Sequence, residues 1–399
     1  MARLGRVLAE AIVLEYGRTE LLRRLSHPFW FQSLGCLMGM DWHSSGITTS
    51  VVGALQRGLA PLEGELGIKV CGGRGRHSRR TPEELVAFGE RTGADGAALA
   101  RTSRLVAKVD GAAVQDGYEL YLHAFVVADD GAWTVVQQGM DPVRRRARRY
   151  HWLSEGLGSF VDTPHAAIEG RPGGAIVNLT DRRAGSARAA QLALVAAGPD
   201  RAVAVVRSAI GRAPPHLAMP ARHQVTPSDV VVRRLHATLA AAAERGPADF
   251  AELLLTPGLG ARTVLALAMA AEVIHGAPCR FSDPARFSLS HGGKDGHPFP
   301  VPIRVYDETL AVLRRAVDRA KLGEDDRLAA VRRLDAESRR LEDVAEGPGV
   351  AAFLASERQA SAAYGGRTVF GPARTPTPPS TTKATATADP QLRLPLRPR

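Results

Sequence analysis

Four side chains suited to phosphoryl chemistry crowd one short stretch: Lys108, Asp110, Asp116 and Glu119. Carboxylates that hold Mg2+ or Mn2+, beside a lysine that neutralises charge on a phosphorane, are the equipment of a metal-dependent nuclease. Lys108, Asp116 and Glu119 are therefore the candidate catalytic residues. Their spacing departs from a strand-borne Asp…Glu-x-Lys arrangement, and charges on a helix surface would give the same composition. Asp41 and His43, with His123 or His151, form a second candidate metal site; a capping aspartate and a hydrogen-bonded histidine are the plainer alternative. The loop holding His291, Lys294 and His297 among glycines suits an anion or a metal, or a tight connector.

The sharpest local pattern is Leu253-Leu254-Leu255-Thr256-Pro257-Gly258-Leu259-Gly260-Ala261-Arg262-Thr263. It is similar to a helix-hairpin-helix element spanning residues 247–275. Glycines at 258 and 260 permit positive φ and close approach of a phosphate, and the amides opening the second helix point at that phosphate with the helix dipole behind them. Pro257, Gly258, Gly260, Arg262 and Thr263 are the expected DNA contacts, made to backbone and carrying no sequence information. A plain helical hairpin is the alternative. A glycosylase reading places a catalytic aspartate near Asp283, but Arg262 stands where a lyase would need a lysine for a Schiff base.

Two basic segments extend the footprint: Arg74 and Arg76 in a Gly-rich loop running to Arg80, and Arg144 and Arg148 at an expected helix start, with Tyr150 and Trp152 available for base stacking. Near the C-terminus, Gln391-Leu392-Arg393-Leu394-Pro395-Leu396 resembles the peptide by which bacterial replication and repair proteins dock on the sliding clamp. Gln391 would hydrogen-bond, while Leu392, Leu394 and Leu396 would fill an apolar groove.

Several elements must position these residues. Helical spacing covers Arg3 to Tyr16 and Pro28 to Met40; a short strand is expected at Gly67 to Cys71. Thr81-Pro82-Glu83-Glu84 reads as a capping box that starts a helix. Leu120 to Ala128 and Trp133 to Gln138 form a β-hairpin about Asp129-Asp130-Gly131. From Asp181 to Ala363 the pattern is almost wholly helical, with a proline-containing break at Ala213 to Pro220. The expected fold is mainly helical α+β: an N-terminal mixed domain (1–212), a helical domain (221–364), and a disordered tail (365–399) that holds seven of the 26 prolines.

Composition sets the bounds. The 399 residues carry 52 Lys plus Arg against 41 Asp plus Glu, a net charge of +11, which favours a polyanionic partner. Only five of those cations are lysine, so a lysine inside a polar motif stands out. Three separated cysteines exclude a disulfide scaffold and a four-thiolate zinc site. With no leader and no long apolar run, a cytoplasmic, nucleoid-associated protein without membrane contact is expected.

The strings PFWFQSLGCLMGMDWHSSGITT, GGRGRHSRRTPEEL, SRLVAKVDGAAVQDGYELYLH, VVQQGM, ARRYHWLSE and DPARFSLSHGGKDGHP, with the helix-hairpin-helix, resemble domain-of-unknown-function family 763 of bacteria and archaea. The resemblance covers about Leu4 to Lys321 and implies no particular activity. Family members begin with a further glycine-containing segment, which implies that Met1 is a late start. Together these features lead to a DNA-binding protein of repair or replication, a metal-dependent nuclease tethered to the clamp. A non-catalytic adaptor for DNA structures and an RNA-binding or RNA-processing protein are the alternatives, the last distinguished by preference for A-form duplex or 2′-hydroxyls.

Overall fold

The computed structural model describes residues 1–40, 46–141, 146–209, 232–285, 303–344, 367–368 and 371–372. The protein is a mainly helical α+β fold around an antiparallel sheet. Four helices open the chain: α1 (Ala2–Tyr16), α2 (Arg18–Ser26), α3 (Pro28–Leu37) and α4 (Ile47–Leu59), with a short α5 (Glu63–Leu66) behind them. Strand β1 (Ile68–Arg74) leads into the helical pair α6 (Arg76–Thr92) and α7 (Gly96–Lys108). A π-turn (Val109–Ala113) and a two-residue β2 (Val114–Gln115) follow, then β3 (Glu119–Ala128), β4 (Trp133–Asp141), β5 (Arg146–Leu153), β6 (Ala167–Glu169) and β7 (Ala175–Asn178). Next come α8 (Gly185–Ala196), α9 (Pro199–Ala209), α10 (Val232–Arg245), α11 (Phe250–Leu254), α12 (Ala261–His275), β8 (Arg280–Ser282), α13 (Ile303–Arg319) and α14 (Glu324–Val344). A small pair, β9 (Arg367–Thr368) with β10 (Gly371–Pro372), lies beyond.

The main sheet has the order β1-β3-β4-β5-β6, antiparallel throughout. Side chains alternate across it. Leu122, Ala124, Val126 and Ala128 join a core with the N-terminal helices and α13 and α14. Phe125, Val127, Val135, Tyr150 and Trp152 join another with α6, α7 and α8 to α12. This second core draws on residues from both sides of the break expected at Ala213 to Pro220. A second sheet, β2-β7-β8, adds to that link: β8 falls within the stretch expected to be helical, and pairs with β7.

Two local expectations are corrected. The segment after Asp141, expected to open a helix, is the interior strand β5, paired to β4 with Gly139 opposite Arg148 and Gln138 opposite Arg149. Both faces of this strand are covered, so the Arg-Arg-Tyr-His-Trp run is buried throughout. The helix expected to start at the Thr81 capping box starts at Arg76, with Pro82 inside it. Proline supplies no amide for the Ser78 carbonyl; the Thr81 hydroxyl donates to that oxygen instead, at 2.9 Å, and the helix continues. The Arg74 to Arg80 segment is thus a strand end and a first helical turn.

Candidate nucleic-acid interface

Helix α11 is capped at its start, and the turn from its end leads into α12. Asp249 caps α11 by accepting from the Glu252 amide at 2.8 Å, while the Glu252 carboxylate accepts from the Ala248 amide at 2.9 Å, a reciprocal cap. Leu259 is fully buried in the core, whereas Pro257, Gly258 and Arg262 on either side of it are exposed. Gly258 has φ +80°, a conformation side chains rarely adopt. Gly260 is the N-cap of α12 with extended backbone, and a Cβ there would meet nothing within 4 Å. A helix start leaves its first amides without intrahelical acceptors. Here the amides of Gly258, Gly260, Ala261, Arg262 and Thr263 have no acceptor among the described residues.

The π-turn lies beneath this array. Lys108, at the end of α7, donates its ammonium to the Leu259 carbonyl. Gln115 donates to the Ala261 carbonyl at 3.0 Å and to the Ala112 carbonyl at 2.6 Å. Burial pulls the Lys108 pKa below its ordinary value. Within the turn, buried Asp110 accepts from Gln137, from the Trp152 indole at 2.9 Å and meets His165 Nε2 at 2.5 Å. Gln137 donates to Asp110, so its oxygen faces His123 Nδ1 at 2.7 Å; His123 Nε2 then receives the Ser103 hydroxyl at 2.9 Å. A serine on a neutral histidine is the beginning of a nucleophile pair, but both residues are buried. The chain of bonds knits α7, the π-turn and the sheet together. Burial holds His123 below the usual histidine range.

The residues nominated from sequence fall in different places. Lys108 supports the turn. Asp116, at the end of β2, is buried: it accepts from Arg148 at 2.8 Å, the Tyr150 hydroxyl at 2.6 Å and the Tyr118 amide at 3.0 Å. Burial raises its pKa, with Asp283 adding and Arg148 opposing. Arg148, expected on an exposed helix, is fully buried and forks onto Asp283 at 3.0 and 2.7 Å. Its charge is committed inside the protein, as are the rings of Tyr150 and Trp152. Glu119 is exposed at the start of β3. Arg74 and Arg76 are exposed, with Arg74 5.9 Å over the Tyr121 ring. Pro257, Gly258, Gly260, Arg262 and Thr263 share the turn. Asp41, His43, Arg144, His291, Lys294, His297, Gln391, Leu392, Leu394 and Leu396 lie outside the described residues. Among the described residues no group of three His, Cys, Asp or Glu side chains is placed to hold a metal ion, and no helix is long and apolar enough to cross a membrane.

Sequence reasoning missed Gln115 and the Asp110 network. The signal for them was the polar content of an otherwise apolar stretch, Val109 to Val114, where a buried aspartate requires partners.

Fold and turn together define a mainly helical α+β protein that presents an amide-lined, glycine-bearing helix start on a rigid base. The chain belongs to the family described as Protein of unknown function (DUF763), which matches residues 1–301. That span takes in the main sheet, the π-turn and the α11–α12 turn. Comparison with curated proteins and with solved structures gives no match.

Proposed function

We propose that this protein binds nucleic acid through the sugar–phosphate backbone, with DNA the favoured partner. The reading is carried by the five amides around Gly258 and Gly260 that have no acceptor among the described residues, donors at the positive end of a 15-residue helix. The charge distribution supports a polyanion over a single small anion. Helices α6 and α7 are joined by three residues, and farther along both reach the same strand position: Thr81 of α6 lies against Gly72 opposite the His123 backbone, and Ser103 of α7 bonds the His123 ring. The first turn of α6 therefore lies at the end of α7 that carries Lys108. Arg76, Arg79 and Arg80 in that segment are exposed and have no carboxylate partner among the described residues.

Binding without cleavage is the better supported form of this reading. Asp116 is engaged by Arg148 and Tyr150, and Lys108 by the Leu259 carbonyl, so two of the three nominated nuclease residues are occupied in structural roles, which leaves Glu119 alone exposed. The test is a gel series with end-labelled single-stranded, duplex, nicked and forked DNA and matching RNA, with and without Mg2+ or Mn2+, run native and denaturing. Shifted but intact DNA, with affinity falling steeply as salt rises, is the expected result. Metal-dependent shortening would restore the nuclease reading, a preference for RNA would move the partner class, and no salt-sensitive affinity for any substrate would sink the proposal. Gly260→Ala is the cleanest variant. The backbone there is extended and the space open, so folding should be unaffected while a methyl group blocks the phosphate. Affinity should fall about tenfold across all sequences alike.

A further inference from the structure

We infer that Lys108 is a positioning residue, an internal cation that aims the phosphate-facing amides of the α11–α12 turn; this rests on the nucleic-acid reading above. A trans peptide points its carbonyl and its amide in opposite directions, and no cis bond occurs among the described residues. Leu259 and Gly260 share one peptide unit. Lys108 holds the carbonyl of that unit inward, from the end of α7. The Gly260 amide is thereby turned outward, where it meets no acceptor among the described residues. A charged donor on the carbonyl also polarises the peptide and strengthens its N–H as a donor. The carbonyl of Ala261 is held from the same side by Gln115, and both props flank the π-turn whose Asp110 is bonded into the sheet. The buried Leu259 side chain fixes where the turn sits, and the Lys108 ammonium fixes which way its peptide faces.

Replacing Lys108 separates this role from a direct contact and from catalysis. Lys108→Met should weaken duplex binding about tenfold, the worth of one well-aimed charge-assisted hydrogen bond. The slope of log affinity against log salt should stay essentially as in the unmodified protein, because no phosphate contact is removed. Arg262→Ala, at an exposed cation, should instead lower that slope by about 0.9. Lys108→Arg, which keeps a charged donor, should recover most of the affinity. In the protein without nucleic acid, the Gly260 amide resonance should shift in Lys108→Met and return towards its original position in Lys108→Arg.

Unchanged affinity in Lys108→Met would overturn the inference, as would a slope lowered by about one, which would make Lys108 a phosphate contact. Metal-dependent cleavage lost at intact affinity would make it catalytic and overturn the inference too. Should the unmodified protein bind no nucleic acid, the proposed function fails by itself. The Gly260 resonance then decides the positioning role alone: a shift sustains it and an unmoved resonance overturns it. If Lys108→Met does not fold, Gln115→Leu takes its place with the same readouts at the Ala261 carbonyl.

Discussion

Arg148 and Arg149 are neighbours in sequence, and the strand pleat sends them to opposite faces of one sheet. Arg148 meets Asp116 and Asp283 with the Tyr118 ring 4.5 Å from its guanidinium; Arg149 meets Glu169 at 2.9 Å and the Gln32 oxygen at 3.1 Å, 4.8 Å over the Phe31 ring. A buried pair broken on one side leaves the remaining charge uncompensated. Arg148→Met should therefore destabilise the protein by about 3–5 kcal/mol, measured by urea unfolding. Combining it with Asp116→Asn and Asp283→Asn should recover part of that loss. A cost under about 1 kcal/mol, the range of an exposed pair, would show that Arg148 is solvated. At this scale the sequence was hardest to read. Five arginines within six residues look like a solvated helix face, and nothing local reveals that the partners of Arg148 and Arg149 are Asp116, Asp283 and Glu169. The turn around Gly258 was legible in part: Gly258 takes the positive φ that glycine permits, while Gly260, read the same way, is extended.

Elements are set by their ends, and α3 shows how an end becomes sensitive to pH. Its N-cap is His27, whose Nδ1 accepts from the Trp30 amide at 3.3 Å, with proline as the first helical residue. An accepting nitrogen must be unprotonated, and burial, aided by the nearby Arg24 charge, lowers the His27 pKa to about 4. His123 and His151 are lowered in the same direction, chiefly by burial. A histidine whose folded pKa lies below its unfolded value stabilises the protein above about pH 6.5, and that stability is lost as pH falls towards the folded value. Stability should thus drop between about pH 6.5 and 4, with His27 contributing on the order of 2 kcal/mol. His27→Asn, which keeps an accepting cap, should flatten this part of the profile in thermal melts at several pH values. An identical slope in the variant would remove His27 from the account. Helix α6 carries the complementary lesson. Its capping-box signal at Thr81 is real chemistry put to another use: the hydroxyl serves the carbonyl that Pro82 leaves open, and only the tertiary setting at the end of β1 shows that the helix had already begun.

At the scale of the whole molecule, the net charge of +11 matters less than where the unpaired part of it stands. Helix α6 opens with Arg76, His77, Ser78 and Arg79 and has no acidic residue in its first turn. Cations at the positive end of a helix dipole are unfavourable by about 0.3–1 kcal/mol each at low salt, so the fold alone gives no reason for this composition. The polyanion proposed above would, because the same dipole and the same arginines would then act together on a phosphate. Folding and binding therefore make opposite demands on these two arginines, and one double variant separates them. Arg76→Gln with Arg79→Gln should raise the melting temperature of the free protein at low salt. It should also weaken DNA binding and lower the slope of log affinity against log salt by up to about 1.8, two contacts at about 0.9 each. A surface that merely solvates the helix would show neither change, and a melting temperature that fell would mean the arginines stabilise α6 through contacts of their own.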